Sequence, residues 1–309
     1  MSDNAMVFAP LPQLTVTVER TEDAPELHLH AGGQGFWQAR MICALGVPVT
    51  FCATVGCGEV GQVLASRLET EGLDLKLIRR DTDSGWYVHD RHDGERVVVA
   101  EHAGSALGRH ERDELHTLAL AEGLRAGLCV LSGPADPSLV PADTYARLGA
   151  DLQRNGTPIA ADLAGEDLDA VLQAKPMFVK VSDEQLDEDG LADQDDEDAL
   201  VAAAQQLRAR GAENVVVSRA EKPAIAILTD GCYRVHVPDL SVRDPRGAGD
   251  SMTAGVVAVL AGGGDLLDAI RTGAAAGTLN ITRHGLGSGR ADAIAELVKH
   301  VELEPLEQS

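Results

Sequence analysis

The stretch DPRGAGDSMTAG, residues 244–255, sets Gly247, Ala248 and Gly249 directly before an acid, Asp250, and an apolar helical run. Small residues let successive backbone N–H groups turn into one concavity, and the start of the following helix adds a positive end. Such a hole can hold a phosphate, or the charge that develops on a phosphoryl group in transfer. Asp250 has two readings at this point. It is a helix-dipole partner in the first turn, or a carboxylate that orients an incoming hydroxyl and accepts its proton while the N–H groups hold the phosphorus. Arg246 is open in the same way: its guanidinium can reach phosphate oxygens, or it is a surface arginine that offsets nearby acids.

The elements that must position these residues follow from periodicity. VFAPLPQLTVTVERTEDAPELHLHAGG begins with a short apolar strand and then alternates at period two, which predicts strands with one solvated face. Residues 34–45 turn helical, VTFCATVG reads as a buried strand, and residues 59–72 form an amphipathic helix closed by glycine. GWYVHD and ERVVVAEH, separated by RHDG, predict a hairpin. A hairpin alone is marginal, so its partners are the alternating strands near the N-terminus. Together, residues of about 11–31 and 84–101 make a small β lid. Beyond residue 126 the strands LCVLS, PIAAD, MFVK, NVVVS and AIAILT recur, with helices at 143–154 and 199–210 between several of them. That spacing predicts βαβ units on an open, mostly parallel sheet, with antiparallel edge strands from AIAILTDGCYRVHV. The acidic run DEQLDEDGLADQDDEDAL has no calcium-loop register and reads as a solvated loop leading into a helix. His284 and the ELHLH histidines lack a second ligand cluster, and no metal site is assigned.

Composition bounds the function. The chain has 309 residues, enough for one large core carrying a small appendage, and it reads as a single domain over 1–309. With 26 basic against 49 acidic residues, its formal charge of -23 repels nucleic acid and anionic membranes. Aromatics are only 3%, which suits a parallel sheet with closely packed helices. The five cysteines form no CxxC pair and read as free thiols. With no leader and no long apolar run, a cytoplasmic location is expected.

From about residue 7 to residue 289 the chain resembles the ribokinase or PfkB-type carbohydrate kinases, most closely in motif order their 1-phosphofructokinase and tagatose-6-phosphate kinase branch. The resemblance is carried by GAGD with its following Ser251, by Gly32, Gly33 and Gly35, by SGP at 132–134, and by AKPMFVK at 174–180. It implies a ribokinase-like three-layer αβα sandwich with the β lid over a sugar, ATP as donor, and Mg²⁺ arriving with it. It implies that Asp250 is the general base and that Gly247, Ala248 and Gly249 form the anion hole. By it, Lys180, the 215–222 stretch with Ser218, Arg219 and Ala220, Arg246, and the 271–289 region with Ala274, Gly277 and Asn280 attend the nucleotide. Gln13, Gly32, Gly33, Gln34 and Trp37 attend the acceptor. An exposed lid edge makes a homodimer through the lid an expectation.

Departures from the family pattern cluster. Gln13 stands in the place of a sugar-binding aspartate, Gln34 and Trp37 in those of a lysine and an asparagine. KVSDEQ replaces the KPNxxE element, leaving Ser182 and Gln185, and AEKP at 220–223 replaces a GxxG. Loss of a lysine and an aspartate points to a neutral sugar, polyol or nucleoside-like alcohol as acceptor. The alternative is a catalytically weak or inactive kinase-fold protein that binds a small molecule or nucleotide in a regulatory role.

Overall fold

The computed structural model describes residues 3–20, 24–92, 95–283 and 285–306. The tip of the expected hairpin, Asp93 and Gly94, lies outside them, as does His284. The body is one large sheet. Its parallel strands are β1 (Ala5–Phe8), β4 (Val49–Gly56), β5 (Asp74–Arg80), β8 (Leu128–Ser132), β9 (Ile159–Asp162), β10 (Phe178–Ser182) and β11 (Val215–Ser218). The antiparallel strands β12 (Ala224–Leu228), β13 (Gly231–His236) and β14 (Glu302–Pro305) extend one edge, giving the order β14-β13-β12-β11-β10-β9-β8-β1-β4-β5.

Alternation along each strand divides the core into two layers. Ala5 and Val7, Leu128 and Val130, Ala160 and Val216 pack on one face with α1 (Gln34–Ala44), α2 (Glu59–Glu69), α8 (Ala248–Ala261), α9 (Leu266–Ile281) and α10 (Ala291–Val298). Met6 and Phe8, Cys129 and Leu131, Ala161 and Val217 pack on the other with α3 (Arg109–Gly123), α4 (Asp143–Arg154), α5 (Gly165–Leu172), α6 (Asp183–Glu188) and α7 (Glu197–Arg210). This is the expected three-layer αβα arrangement, with strands buried on both faces by their crossover helices. Cys43, Cys52, Cys57 and Cys129 form no disulfide among the described residues. Among the described residues no helix is long and apolar enough to cross a membrane.

A second, four-stranded sheet has the order β3-β2-β6-β7. It joins β2 (Gln13–Arg20) and β3 (Pro25–Gly32) to β6 (Gly85–His92) and β7 (Glu95–His102), so the two alternating regions of the sequence do pair.

One expectation is corrected. The acidic run is not a plain solvated loop: its first residues form α6, because Ser182 and Gln185 make a reciprocal capping box and Leu186 is buried in the core. Its other acids have structural work. Asp189 accepts from the Gly165 N–H, Asp196 caps α7, and Glu197 holds both Arg219 and Arg234. The Asp196 cap also starts α7 at Glu197 rather than at residue 199.

Candidate active site

The site gathers where β9 and β10 end beneath the N-terminus of α8. Gly247 is the N-cap, at φ 70° and ψ 5°, a left-handed conformation that glycine adopts without strain. After it, the backbone N–H groups of Ala248, Gly249 and Asp250 have no acceptor among the described residues, whereas that of Ser251 donates to the Gly247 carbonyl at 2.9 Å. These open donors are what a helix start offers to an anion.

Asn280 holds this turn in place. Its side-chain amide donates to the Arg246 carbonyl at 2.6 Å, and its oxygen accepts from the Gly287 N–H at 3.1 Å. Asn280 is 1% exposed and both its polar ends are engaged, so any effect on a nucleotide acts through the loop it fixes. Ala274 and Gly277 are likewise buried, Gly277 closely against Ala248 of α8. They set the contact between two helices and present no surface to a ligand.

Below the turn lies a buried charge network that the sequence reading did not contain. The parallel register of β9 and β10 sets Asp162 beside Lys180, whose ammonium stands 2.9 Å from Asp162 Oδ1. Asp162 Oδ2 accepts from Gln38 Nε2 and from Thr253 Oγ1, each at 2.8 Å. The Asp162 main-chain oxygen accepts from Gln34 Nε2 at 2.7 Å. Thus one residue at the end of β9 ties α1 on the expected acceptor side to α8. Lys180 is committed to this pair rather than standing free for a nucleotide. Burial opposes its charge, but Asp162 and Asp250 together hold its pKa above the usual lysine value. An acid closing the apolar run PIAAD, at the C-terminal end of a parallel strand, was the available signal for Asp162.

Asp250 keeps partial surface access in the first turn of α8. Burial of its carboxyl, reinforced by the negative charge of Asp162 and opposed by Lys180, raises its pKa to about 7.

The expected acceptor residues divide. Gln13 pairs in register with Gly32 on β3 and Gly85 on β6, which brings Gln13, Gly32 and Gly33 together at the root of the second sheet. Trp37 is only 8% exposed and packs edge-on against Phe36, as part of the α1 core. On the expected nucleotide side, Ala220 is exposed and Ser218 bonds the Val181 carbonyl at 3.3 Å. Arg219 is buried in its pair with Glu197 at 2.7 Å. Arg246 is exposed, 4.0 Å from Asp244.

The second sheet reaches this loop. Arg91 of β6 lies 3.5 Å from Asp244, and Arg96 stacks over Tyr87 with 4.8 Å to the ring centroid. His89, 1% exposed, shares a 3.1 Å hydrogen bond with Thr17 across β2 and β6. Burial, then the charges of Arg96, Arg91 and Arg246, lower its pKa to about 4.

A three-layer αβα body, a small second sheet beside it and a glycine-capped helix start over a carboxylate together define a class of phosphoryl-transfer fold. The profile of the pfkB family carbohydrate kinases matches residues 5–293, and the chain belongs to that family of kinases. Its fold is similar to that of phosphofructokinase-2 from Escherichia coli, whose structure with potassium has a TM-score of 0.82 at 24% identity, covering 96% of this chain and 98% of that one. A possible 1-phosphofructokinase from Thermotoga maritima gives 0.85 at 18% identity, over 98% of this chain and 100% of that one. Ribokinase from Arabidopsis thaliana, in complex with ribose and ATP, gives 0.75 at 18%, over 97% and 99%.

Proposed function

We propose that this chain transfers the terminal phosphoryl group of ATP to a hydroxyl of a sugar or sugar-like molecule, with Asp250 as general base. The observation that carries the reading is the Asp250 carboxylate, placed in the same helical turn as three N–H groups that have no acceptor among the described residues and held by burial above the usual carboxylate pKa. In this reading the turn at Gly247, Ala248 and Gly249 binds the transferring phosphoryl group, with Arg246 beside it. Asp250 takes the hydroxyl proton, and Lys180 and Asp162 fix the electrostatics beneath.

Mg²⁺, if it arrives with ATP, would supply charge neutralisation for the phosphates. Ser182 and Gln185 are engaged in their capping box, and among the described residues no group of three or more acidic, histidine or cysteine side chains could hold a metal ion, so the ion would be held chiefly by the phosphates it accompanies. The second sheet serves as the lid that excludes water. Its edge strand β7 exposes Val97, Val98 and Val99, which supports self-association through the lid. Val98→Lys, followed by sedimentation, tests this: an unchanged oligomeric state removes the support.

For the acceptor, Gln13 and Gln34 in place of charged residues favour a neutral alcohol. A second reading, an acceptor that already bears a phosphate, is favoured by the positive charge that Arg96, Arg91 and Arg246 bring to the surroundings of His89. The test is a panel of neutral sugars and alcohols against hexose phosphates with ATP and Mg²⁺, read as kcat/KM. The neutral reading requires a neutral acceptor to be best. A hexose phosphate as best substrate, weakened by Arg91→Gln, selects the second reading. Saturable ATP binding with no turnover on any acceptor instead selects a regulatory binding protein.

A further inference from the structure

On the face of the sheet opposite α1 and α8, the N-terminal halves of α3 and α4 line a partly open cavity of about 250 Å³. Its charge is unusual for a chain with a formal charge of -23, because Arg109, Arg112 and Arg147 all line it. Arg147 is paired with Asp113 at 2.6 Å. Arg109 and Arg112 have no ion-pair partner among the described residues. The other acid of the lining, Asp143, is the first residue of α4, where the helix dipole already favours it.

Three polar atoms of the same lining are buried without a hydrogen-bond partner: Arg112 Nε, His116 Nδ1 and Thr144 Oγ1. His116 and Thr144 are each 6% exposed, so both side chains are more than nine-tenths buried. His116 Nε2 lies 3.2 Å from Asp151, which leaves Nδ1 as the uncommitted ring atom. Buried polar groups are normally satisfied, and leaving one unmade costs about 1–3 kcal/mol. Three such atoms on one small cavity, beside two guanidinium groups without an ion-pair partner among the described residues, form a donor and acceptor set suited to an anion.

We propose that this cavity binds a small oxyanion of the phosphate class, at a site separate from the α8 turn. Arg112 and Arg109 supply charge-assisted N–H donors, the Thr144 hydroxyl donates a further hydrogen bond, and His116 Nδ1 accepts the O–H of a hydrogen phosphate. The site does not rest on the kinase reading, since none of its residues belongs to the network of Asp162, Lys180 and Asp250.

The probe is inorganic phosphate, titrated at constant ionic strength against chloride and read as a saturable rise in Tm and by calorimetry. Arg112→Gln and Thr144→Val are expected to weaken phosphate binding by about tenfold or more. Arg109→Gln alters an exposed side chain and keeps the test open if the buried variants fold poorly. It is expected to weaken binding in the same direction. Arg246→Gln, at the α8 turn, is expected to retain the binding. Equal phosphate affinity in the wild type and in Arg109→Gln and Arg112→Gln overturns the proposal. Binding lost in Arg246→Gln but kept in Arg112→Gln overturns it too, since the anion would then sit at the α8 turn.

Discussion

The ammonium of Lys180 stands 2.9 Å from Asp162 Oδ1 and directly under the first turn of α8, where a Cβ on Gly249 would come within 3.0 Å of it. A cation beneath a helix N-terminus is electrostatically unfavourable by itself. It persists because Asp162 on β9 and Asp250 on α8 both face it. The small residue at 249 leaves the space that this arrangement needs. The same three charges therefore link the packing of α8 on the sheet to the proton affinity of Asp250.

Lys180→Met breaks a buried pair and leaves Asp162 with only its neutral donors, Gln38 and Thr253. Removing one partner of such a pair typically costs about 3–5 kcal/mol. Denaturant unfolding should show a loss of that order. Loss of the lysine charge also removes the one influence that lowers the Asp250 pKa, so the acidic limb of the rate profile should move to higher pH. A stability loss with the limb unmoved would make Lys180 structural only.

Asp250→Asn is expected to lower phosphotransfer by about 10²-fold or more, the scale for a positioned base, while ATP affinity and the fold are kept. Steady-state kinetics beside nucleotide titration and circular dichroism provides the check. Equal turnover in both proteins removes Asp250 from the chemistry.

The pH dependence has a definite sign. The folded value for Asp250, about 7, exceeds the ordinary 3.8, so between those values the folded protein binds more protons than the unfolded chain. This group therefore lowers stability as pH rises through that window, and Asp250→Asn should flatten that part of the stability curve. The rate runs the other way, rising through about pH 7 to a plateau as the carboxylate forms. A rate independent of pH across this interval contradicts the assignment.

His89 works in the opposite direction. Its folded value, about 4, lies below the ordinary 6.5, so the unfolded chain takes up the proton first on acidification. Stability present above 6.5 is then lost as pH falls toward 4. Hydrogen exchange in β2 and β6 should accelerate over this window in the wild type, and less so in His89→Gln. Equal acceleration in both would assign the loosening to other groups.

Arg91 and Asp244 join the second sheet to the α8 loop with little solvent exposure, 14% and 11%. A double-mutant cycle on Arg91→Gln and Asp244→Asn should give a coupling of about 1 kcal/mol. Exchange of the β6 amides should rise in either single variant. Additive effects and unchanged exchange would show that the contact does not hold the sheet to the body.

The chain's local patterns settled much of the fold. Strands such as LCVLS, the helix at 143–154 and the pairing of the two alternating regions follow from periodicity, because burial of one face or two leaves its mark in consecutive residues. The α8 turn was legible for the same reason: its glycines, its acid and its helix are contiguous. Strand β5 and helix α3 were not separated out; DLKLIRR interrupts its apolar alternation with charge, and α3 is largely polar. Tertiary structure alone decided the rest. Asp162 and Lys180 meet through the register of two parallel strands joined by a crossover, and Gln38 and Thr253 reach the same carboxylate from 124 and 91 residues away in the chain. Spacing along a sequence does not encode such a register. Nor does it say which way a side chain turns once its helix is packed, which is why Trp37 and Asn280, read as ligand contacts, lie in the core and in a loop clamp.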